Sequence, residues 1–158
     1  MLKLHLLRHA QADSALNGED KDRPLTPHGI EQANMIGKCI GNIDHVLCSD
    51  AYRTRMTLEA LQINPAQTTF LDSLYNAPTG DIFNAIQSCE STNILVIAHN
   101  PGIHMLANML VGDGENILLE KMSLFYNPGT LSIFDCDIES WADLQPQKNI
   151  LTDLIIPD

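Results

Sequence analysis

The sequence predicts an α/β fold, a three-layer α/β/α sandwich around a mainly parallel central sheet. Short apolar runs at residues 2–7, 45–48 and 94–98 have the length and aliphatic content of buried strands. Each is followed by a polar break and then by apolar residues at helical spacing. The strand-then-helix unit recurs about four times with short connections, which is the pattern of parallel crossovers. Ligands of open α/β sheets bind beyond the carboxyl ends of the strands, so the residues at which these runs stop are the first candidates for a site.

The first run, Leu2 to Leu7, stops at Arg8-His9. Residues 10–25 have loop composition, with Gln11, Asp13, Asn17, Gly18, Asp20, Asp22 and Pro24 showing no period. Thr26-Pro27 supplies an N-cap and a proline at the first helical position; Ile30, Ala33, Gly37 and Ile40 then mark an amphipathic helix. His45 to Cys48 is a second strand, and Ser49-Asp50 reads as the N-cap pair of a helix over residues 51–61. Residues 68–71 suggest a third strand, and Ile82, Phe83 and Ile86 mark a helix within 79–89. Ile94 to Ala98 is the clearest buried strand; it stops at His99-Asn100-Pro101, ahead of a helix over 101–110. Residues 130–134 form a late strand after Asn127-Pro128-Gly129, and the last twenty-odd residues carry too weak a pattern to assign.

Composition narrows the function classes. A length of 158 residues fits one domain, and 44% hydrophobic with 18% charged residues is a globular balance, neither disordered nor membrane-embedded. No apolar run approaches the roughly 18 residues that span a bilayer, so a cytoplasmic protein is expected. A formal charge of −11 argues against nucleic acid or an acidic membrane as partner, since most of the surface repels both. Anion binding must then be local, and the positions of Arg8, Arg23, Arg53 and Arg55 become informative. Cys39, Cys48, Cys89 and Cys136 are widely spaced, with no Cys-x-x-Cys pair, so reduced packing cysteines and no metal centre are expected. Asp13 and Asp22 lie in a loop polar enough to keep them solvated.

Arg8-His9, Ser49 and His99 end three separate strands and should converge on one crevice. Two histidines with arginines and no metal cluster suit phosphoryl transfer: guanidinium presents a fork of donors matching phosphate oxygens, and neutral imidazole is a competent nucleophile near pH 7.

Leu6-Leu7-Arg8-His9-Ala10 resembles the Arg-His-Gly signature of the histidine phosphatase superfamily, with alanine in place of the usual glycine. Four further stretches agree in order and spacing: residues 23–29 (Arg-Pro-Leu-Thr-Pro-His-Gly), 49–53 (Ser-Asp-Ala-Tyr-Arg), 74–77 (Leu-Tyr-Asn-Ala) and 96–101 (Val-Ile-Ala-His-Asn-Pro). Shortness and the Arg-Pro-Leu-Thr segment look most like the SixA-type phosphohistidine phosphatases. The resemblance implies a phosphoglycerate mutase-like fold, with residues 1–158 as a single histidine phosphatase domain. It implies that His9 attacks phosphorus, that Arg8, Arg23, Arg53 and His99 surround the transferring oxygens, and that water hydrolyses the phosphohistidine intermediate. No metal or other cofactor is implied. The expected substrate is a phosphohistidine on a partner protein.

Phosphomonoester members of the superfamily usually carry a carboxylic acid for the leaving alkoxide, and no glutamate stands near residues 74–77. Asp72 and Asp81 fit that role poorly, which favours an N–P substrate, because imidazole departs more readily than alkoxide. A small-molecule phosphomonoesterase is the alternative, and a non-catalytic phosphate-binding module the third reading. Arg55 should point away from the pocket and pair with Glu59 at i+4. Ser49 is expected to cap its helix rather than act as a nucleophile, and His5, His28, His45 and His104 are expected to be structural or surface residues.

Overall fold

The computed structural model describes residues 1–158. The chain runs β1 (Leu2–Arg8), α1 (Pro27–Cys39), β2 (His45–Ser49), α2 (Tyr52–Leu61), β3 (Gln67–Leu71), α3 (Thr79–Gln87), β4 (Asn93–Ala98), α4 (Gly102–Leu110), β5 (Val111–Gly114), α5 (Asn116–Leu124), β6 (Leu131–Cys136) and β7 (Asn149–Ile155). The strands form one seven-stranded sheet in the order β3-β2-β4-β1-β6-β7-β5. Only β6 runs against the others, pairing antiparallel with β1 and β7. The expected mainly parallel α/β sandwich is the observed architecture. No helix is long and apolar enough to cross a membrane.

The continuous apolar runs follow from burial on both faces. Successive side chains of a strand point to opposite sides. Leu4, Leu6, Val96 and Ala98 join a core with Ile82 and Ile86 of α3 and Ile103, Leu106 and Leu110 of α4. Leu7, Val46, Cys48, Leu95 and Ile97 pack the other face against Ala33 and Ile36 of α1 and Leu61 of α2. Each such aliphatic side chain contributes roughly 1.5–3 kcal/mol relative to exposure, so neither face could be left without its helices.

Local signals hold at α1, where Pro27 opens the helix and the Thr26 hydroxyl accepts the Gly29 N–H at 2.9 Å. Two readings near α2 need correction. Ser49 is not a cap: it is the fully buried last residue of β2, and Ala51 occupies the N-cap position. Thr54 performs the local capping instead, accepting the Ala51 N–H at 3.2 Å and donating to the Ser49 carbonyl at 2.5 Å. Arg55 does not pair with Glu59. It donates to Asp50 at 2.7 Å and lies 3.8 Å over the Phe70 ring, because β3 places an aromatic face within its reach. Beyond residue 110 the structure adds β5, α5 and β7, which the sequence left unassigned. Only Met122 of α5 is buried, so that helix lacks the broad apolar stripe that makes a pattern readable.

Helices α1 and α2 meet at Gly37, where an added Cβ would lie 1.9 Å from the Leu61 carbonyl oxygen. Gly37→Ala should therefore push the two helices apart and destabilise the protein by about 1–3 kcal/mol, the usual cost of overpacking. Denaturant melts of the two proteins check this; equal midpoints would show that the contact yields freely.

Candidate active site

Parallel pairing brings the carboxyl ends of β1, β2 and β4 to one edge. In the β1–β4 ladder Arg8 stands opposite Ala98, so the next residues, His9 and His99, leave the sheet side by side. The His9 N–H donates to the Ala98 carbonyl at 3.1 Å, and the two imidazole centroids are 5.3 Å apart. From the β6 side, the Gly129 N–H reaches both the Arg8 and His9 carbonyls at 3.1 and 3.0 Å. Gly129 has φ +81°, a left-handed conformation that glycine adopts without steric cost. Arg53 enters from the first turn of α2, and Arg23 from the loop between β1 and α1.

Arg8, His9, Arg23, Arg53 and His99 line a cavity of about 260 Å³ together with Gln11, Ala12, Asp20, Asn76, Asn100 and Pro128. At its base the His9 Nδ1–H donates to the Ala10 carbonyl at 2.7 Å, which fixes the tautomer and leaves the lone pair on Nε2. Burial, reinforced by nearby His99, Arg53 and Arg8, pushes the His9 imidazole down to about 3, so the ring is neutral at pH 7. Burial outweighs the neighbouring cations in that shift. Ala10, which replaces the usual glycine, is fully buried, does not take a positive φ, and has its N–H held by the Thr57 hydroxyl at 3.1 Å.

His99 is likewise neutral, held down to about 4 by burial and then by Arg53 and Arg8. Its Nε2 lies 2.7 Å from the Ser49 hydroxyl, whose proton finds its acceptor there. That assignment leaves the proton on Nδ1, a buried donor with no partner in the protein. Arg8 anchors one nitrogen on the Tyr126 carbonyl at 3.0 Å, while its Nε is buried without a partner. Arg53, 4% exposed, gives both terminal nitrogens to Asp20, at 2.8 Å to the carbonyl and 3.2 Å to the carboxylate; its Nε is also unpartnered. Arg23 is more open, donating to the Asp13 carbonyl at 2.9 Å. Unpaired buried polar atoms are costly, and four of them, these three donors and Asn100 Oδ1, belong to residues lining one cavity, whose three guanidiniums suit an anion with several oxygens.

The sequence reading passed over Asp20, Gln11 and Asn100, and Ser49 as the partner of His99. Asp20 sits among Glu19 and Asp22 in a loop whose composition distinguishes none of them. Tyr75 donates its hydroxyl to Asp20 and sets its ring edge-on to His99, with centroids 5.6 Å apart. Tyr75 first, then Arg53 and Arg23, holds the Asp20 carboxyl down to about 2. Asp72 pairs with Lys21, and Asp81 lines a separate groove of about 480 Å³ that contains no arginine. His5 donates to the Ile94 carbonyl at 3.1 Å and His104 to the Met122 carbonyl at 2.7 Å, so both are structural. His45 bonds Thr69, and His28 lies 3.5 Å from the Gln32 amide, outside the cavity.

The sequence profile of the histidine phosphatase superfamily (branch 1) matches residues 4–82. The chain belongs to the histidine phosphatase superfamily. Over its whole length it is similar to a protein named SixA from Nakamurella multipartitia, with TM-score 0.88 and 30% identity, covering 99% of this chain and 96% of that one. A SixA protein from Agrobacterium tumefaciens follows at TM-score 0.79 and 25% identity, covering 99% and 98%. An uncharacterised Mycobacterium tuberculosis protein is 29% identical over 96% of this chain and 99% of its own. Family membership makes the chain an enzyme of the phosphatase and phosphomutase class, and likeness to the SixA proteins extends through β7.

Buried neutral histidines leave a signature in this family member's stability. The folded pKa values of His9 and His99 lie below 6.5, so the unfolded chain binds more protons in the interval below that pH. Stability is then complete above pH 6.5 and declines as pH falls, by up to about 1.4 kcal/mol per pH unit for each ring. Denaturant melts between pH 7.5 and 5.0 should show that decline, with a shallower slope in His9→Asn; identical slopes would mean that His9 is charged in the folded protein.

Proposed function

We propose that this protein is a phosphohistidine phosphatase. It removes a phosphoryl group from a histidine on another protein through a phosphohistidine intermediate on His9, without a metal ion, with residues 1–158 working as one domain. The observation that carries this reading is a neutral His9, its tautomer set by the Ala10 carbonyl, facing a cavity lined by Arg8, Arg23 and Arg53. The Nε2 lone pair attacks phosphorus, while Arg8, Arg53, Arg23 and the Nδ1–H of His99 hold the equatorial oxygens. Fixed donors in a water-poor site act most strongly on the charge that spreads there in the transition state. Water then attacks the phosphorus, the Nε2–P bond breaks with its electron pair returning to Nε2, and His9 departs as neutral imidazole because Nδ1 has kept its proton throughout.

The substrate class rests on what the cavity lacks in proton donors. Asp20 is the one carboxylic acid among the lining residues, and it is held ionised at neutral pH. An alkoxide leaving group would go unprotonated there, whereas an imidazole needs far less help. The full-length likeness to SixA proteins, described as candidate phosphohistidine phosphatases, supports the same choice. Three guanidiniums line the cavity and can neutralise phosphate without a metal ion, which supports that part of the reading.

The test is phosphate release from a phosphohistidine-bearing protein and from a panel of small phosphomonoesters, in chelator, for the native protein and His9→Ala. Faster turnover of phosphohistidine, reduced to background by the substitution and indifferent to chelator, is the expected result. Turnover mainly of small esters would move the protein to the phosphomonoesterases, and loss in chelator restored by Mg²⁺ or Zn²⁺ would overturn the mechanism. Phosphate binding with no turnover would leave a binding module.

A further inference from the structure

Asp20 places a carboxylate where a phosphate seat should exclude one. It lines the same cavity as His9, His99 and the three arginines, yet its side chain is 49% exposed against 4% for Arg53. His9 lies at the closed end, 7% exposed, so Asp20 stands towards the opening. In-line transfer puts the leaving group on the side of phosphorus opposite the nucleophile. For a substrate carried on another protein, that side is the opening, and the departing ring comes to the region that Asp20 occupies.

The carboxylate is firmly positioned. Arg53 donates to its backbone carbonyl at 2.8 Å and to Oδ2 at 3.2 Å, and Oδ2 also takes the Tyr75 hydroxyl. Oδ1 has only the longer Arg23 contact at 3.4 Å, which leaves it with unused acceptor capacity. Lys21, the next residue, pairs with Asp72 and lies 5.2 Å from the Tyr75 ring, tying the short turn over residues 20–22 to the start of the segment that follows β3.

We infer that Asp20 is the leaving-group residue, its carboxylate accepting a hydrogen bond from the substrate ring nitrogen that does not carry phosphorus. The inference rests on the phosphohistidine reading above and adds a residue and a selection rule to it. A phosphorylated imidazole that keeps a proton on its distal nitrogen departs as neutral imidazole; without that proton it must depart as imidazolate, a far poorer leaving group. As the His9 Nε2–P bond forms, the substrate N–P bond breaks and its electron pair stays on the departing nitrogen. The distal proton remains in place, and none passes to or from Asp20. The Ala10 carbonyl performs the same service for His9 in the second step, so one acceptor holds the distal N–H of each imidazole between which phosphorus moves. Charge repulsion adds selectivity, because an ionised Asp20 disfavours small esters whose leaving group is itself anionic.

The experiment compares kcat/KM of the native protein and Asp20→Asn on a phosphohistidine peptide and on p-nitrophenyl phosphate, whose leaving group needs no proton and has no distal nitrogen. Circular dichroism and tungstate binding by calorimetry establish that the variant is folded with its anion seat formed. The expected result is a fall of about 10- to 100-fold on the phosphohistidine peptide, the range of a charge-assisted hydrogen bond, with less than about threefold loss, or a gain, on the ester. Equal losses on both substrates would reduce Asp20 to a support for Arg53, and an unchanged ratio or lost tungstate binding would likewise overturn the inference. A native protein that cleaves the ester but not the peptide would instead refute the phosphohistidine reading.

Discussion

His9 and His99 are neighbours because β1 and β4 pair in parallel with Arg8 opposite Ala98. A slip of β1 by one residue would turn its side chains to the wrong faces, setting Leu4 and Leu6 against the helices that now pack Leu7. Register is therefore enforced by two cores at once, and the spacing of the two imidazoles inherits that rigidity. Gly129 closes the same strand end from the β6 side, and Thr57 clamps Ala10 from α2. His9, the proposed nucleophile, is thus held by sheet, turn and helix, and the orientation of its lone pair follows from backbone geometry.

The electrostatics of the site depend on the same burial. An acidic chain with formal charge −11 concentrates three of its few cations around one cavity. Isolated in low dielectric, those guanidiniums would be costly. Asp20, the Tyr126 carbonyl and the Asp13 carbonyl offset part of that cost in the unliganded protein. The side chains of Arg8, Arg53 and His99 are held by the protein before any anion arrives, an arrangement that suits the proposed phosphoryl transfer. Neutrality of both histidines has one dominant cause, desolvation, so the proposed nucleophile and donor owe their protonation state to the packing that shapes the sheet.

Ser49 shows how a local signal can point correctly to a position and wrongly to a role. Serine at a strand end ahead of a helix has the form of a cap, yet Thr54 serves the helix and frees the Ser49 hydroxyl for His99. The hydroxyl then decides which His99 nitrogen carries the proton. Arg55 is similar: Glu59 is one turn away in sequence, but Asp50 and Phe70 offer shorter and stacked contacts through the fold.

Sequence by itself determined the α/β class, the strand ends and the residues Arg8, His9 and His99 that come together at them, while Arg23 and Arg53 are legible only through the resemblance to a family. The strand ends are legible because doubly buried strands are continuous aliphatic runs, and because polar residues stand where the runs stop. β5, α5 and β7 escaped notice because they are half-exposed and short of apolar period. Only the tertiary structure decided that Asp20 joins the cavity, that Ser49 serves His99, and that Asp72 and Asp81 do not reach the site. Those outcomes depend on contacts between residues about 30 to 55 positions apart, such as Arg53 with Asp20, Tyr75 with Asp20 and Ser49 with His99. No local propensity encodes such pairings; they exist only once the parallel register has brought the strand ends and their loops together.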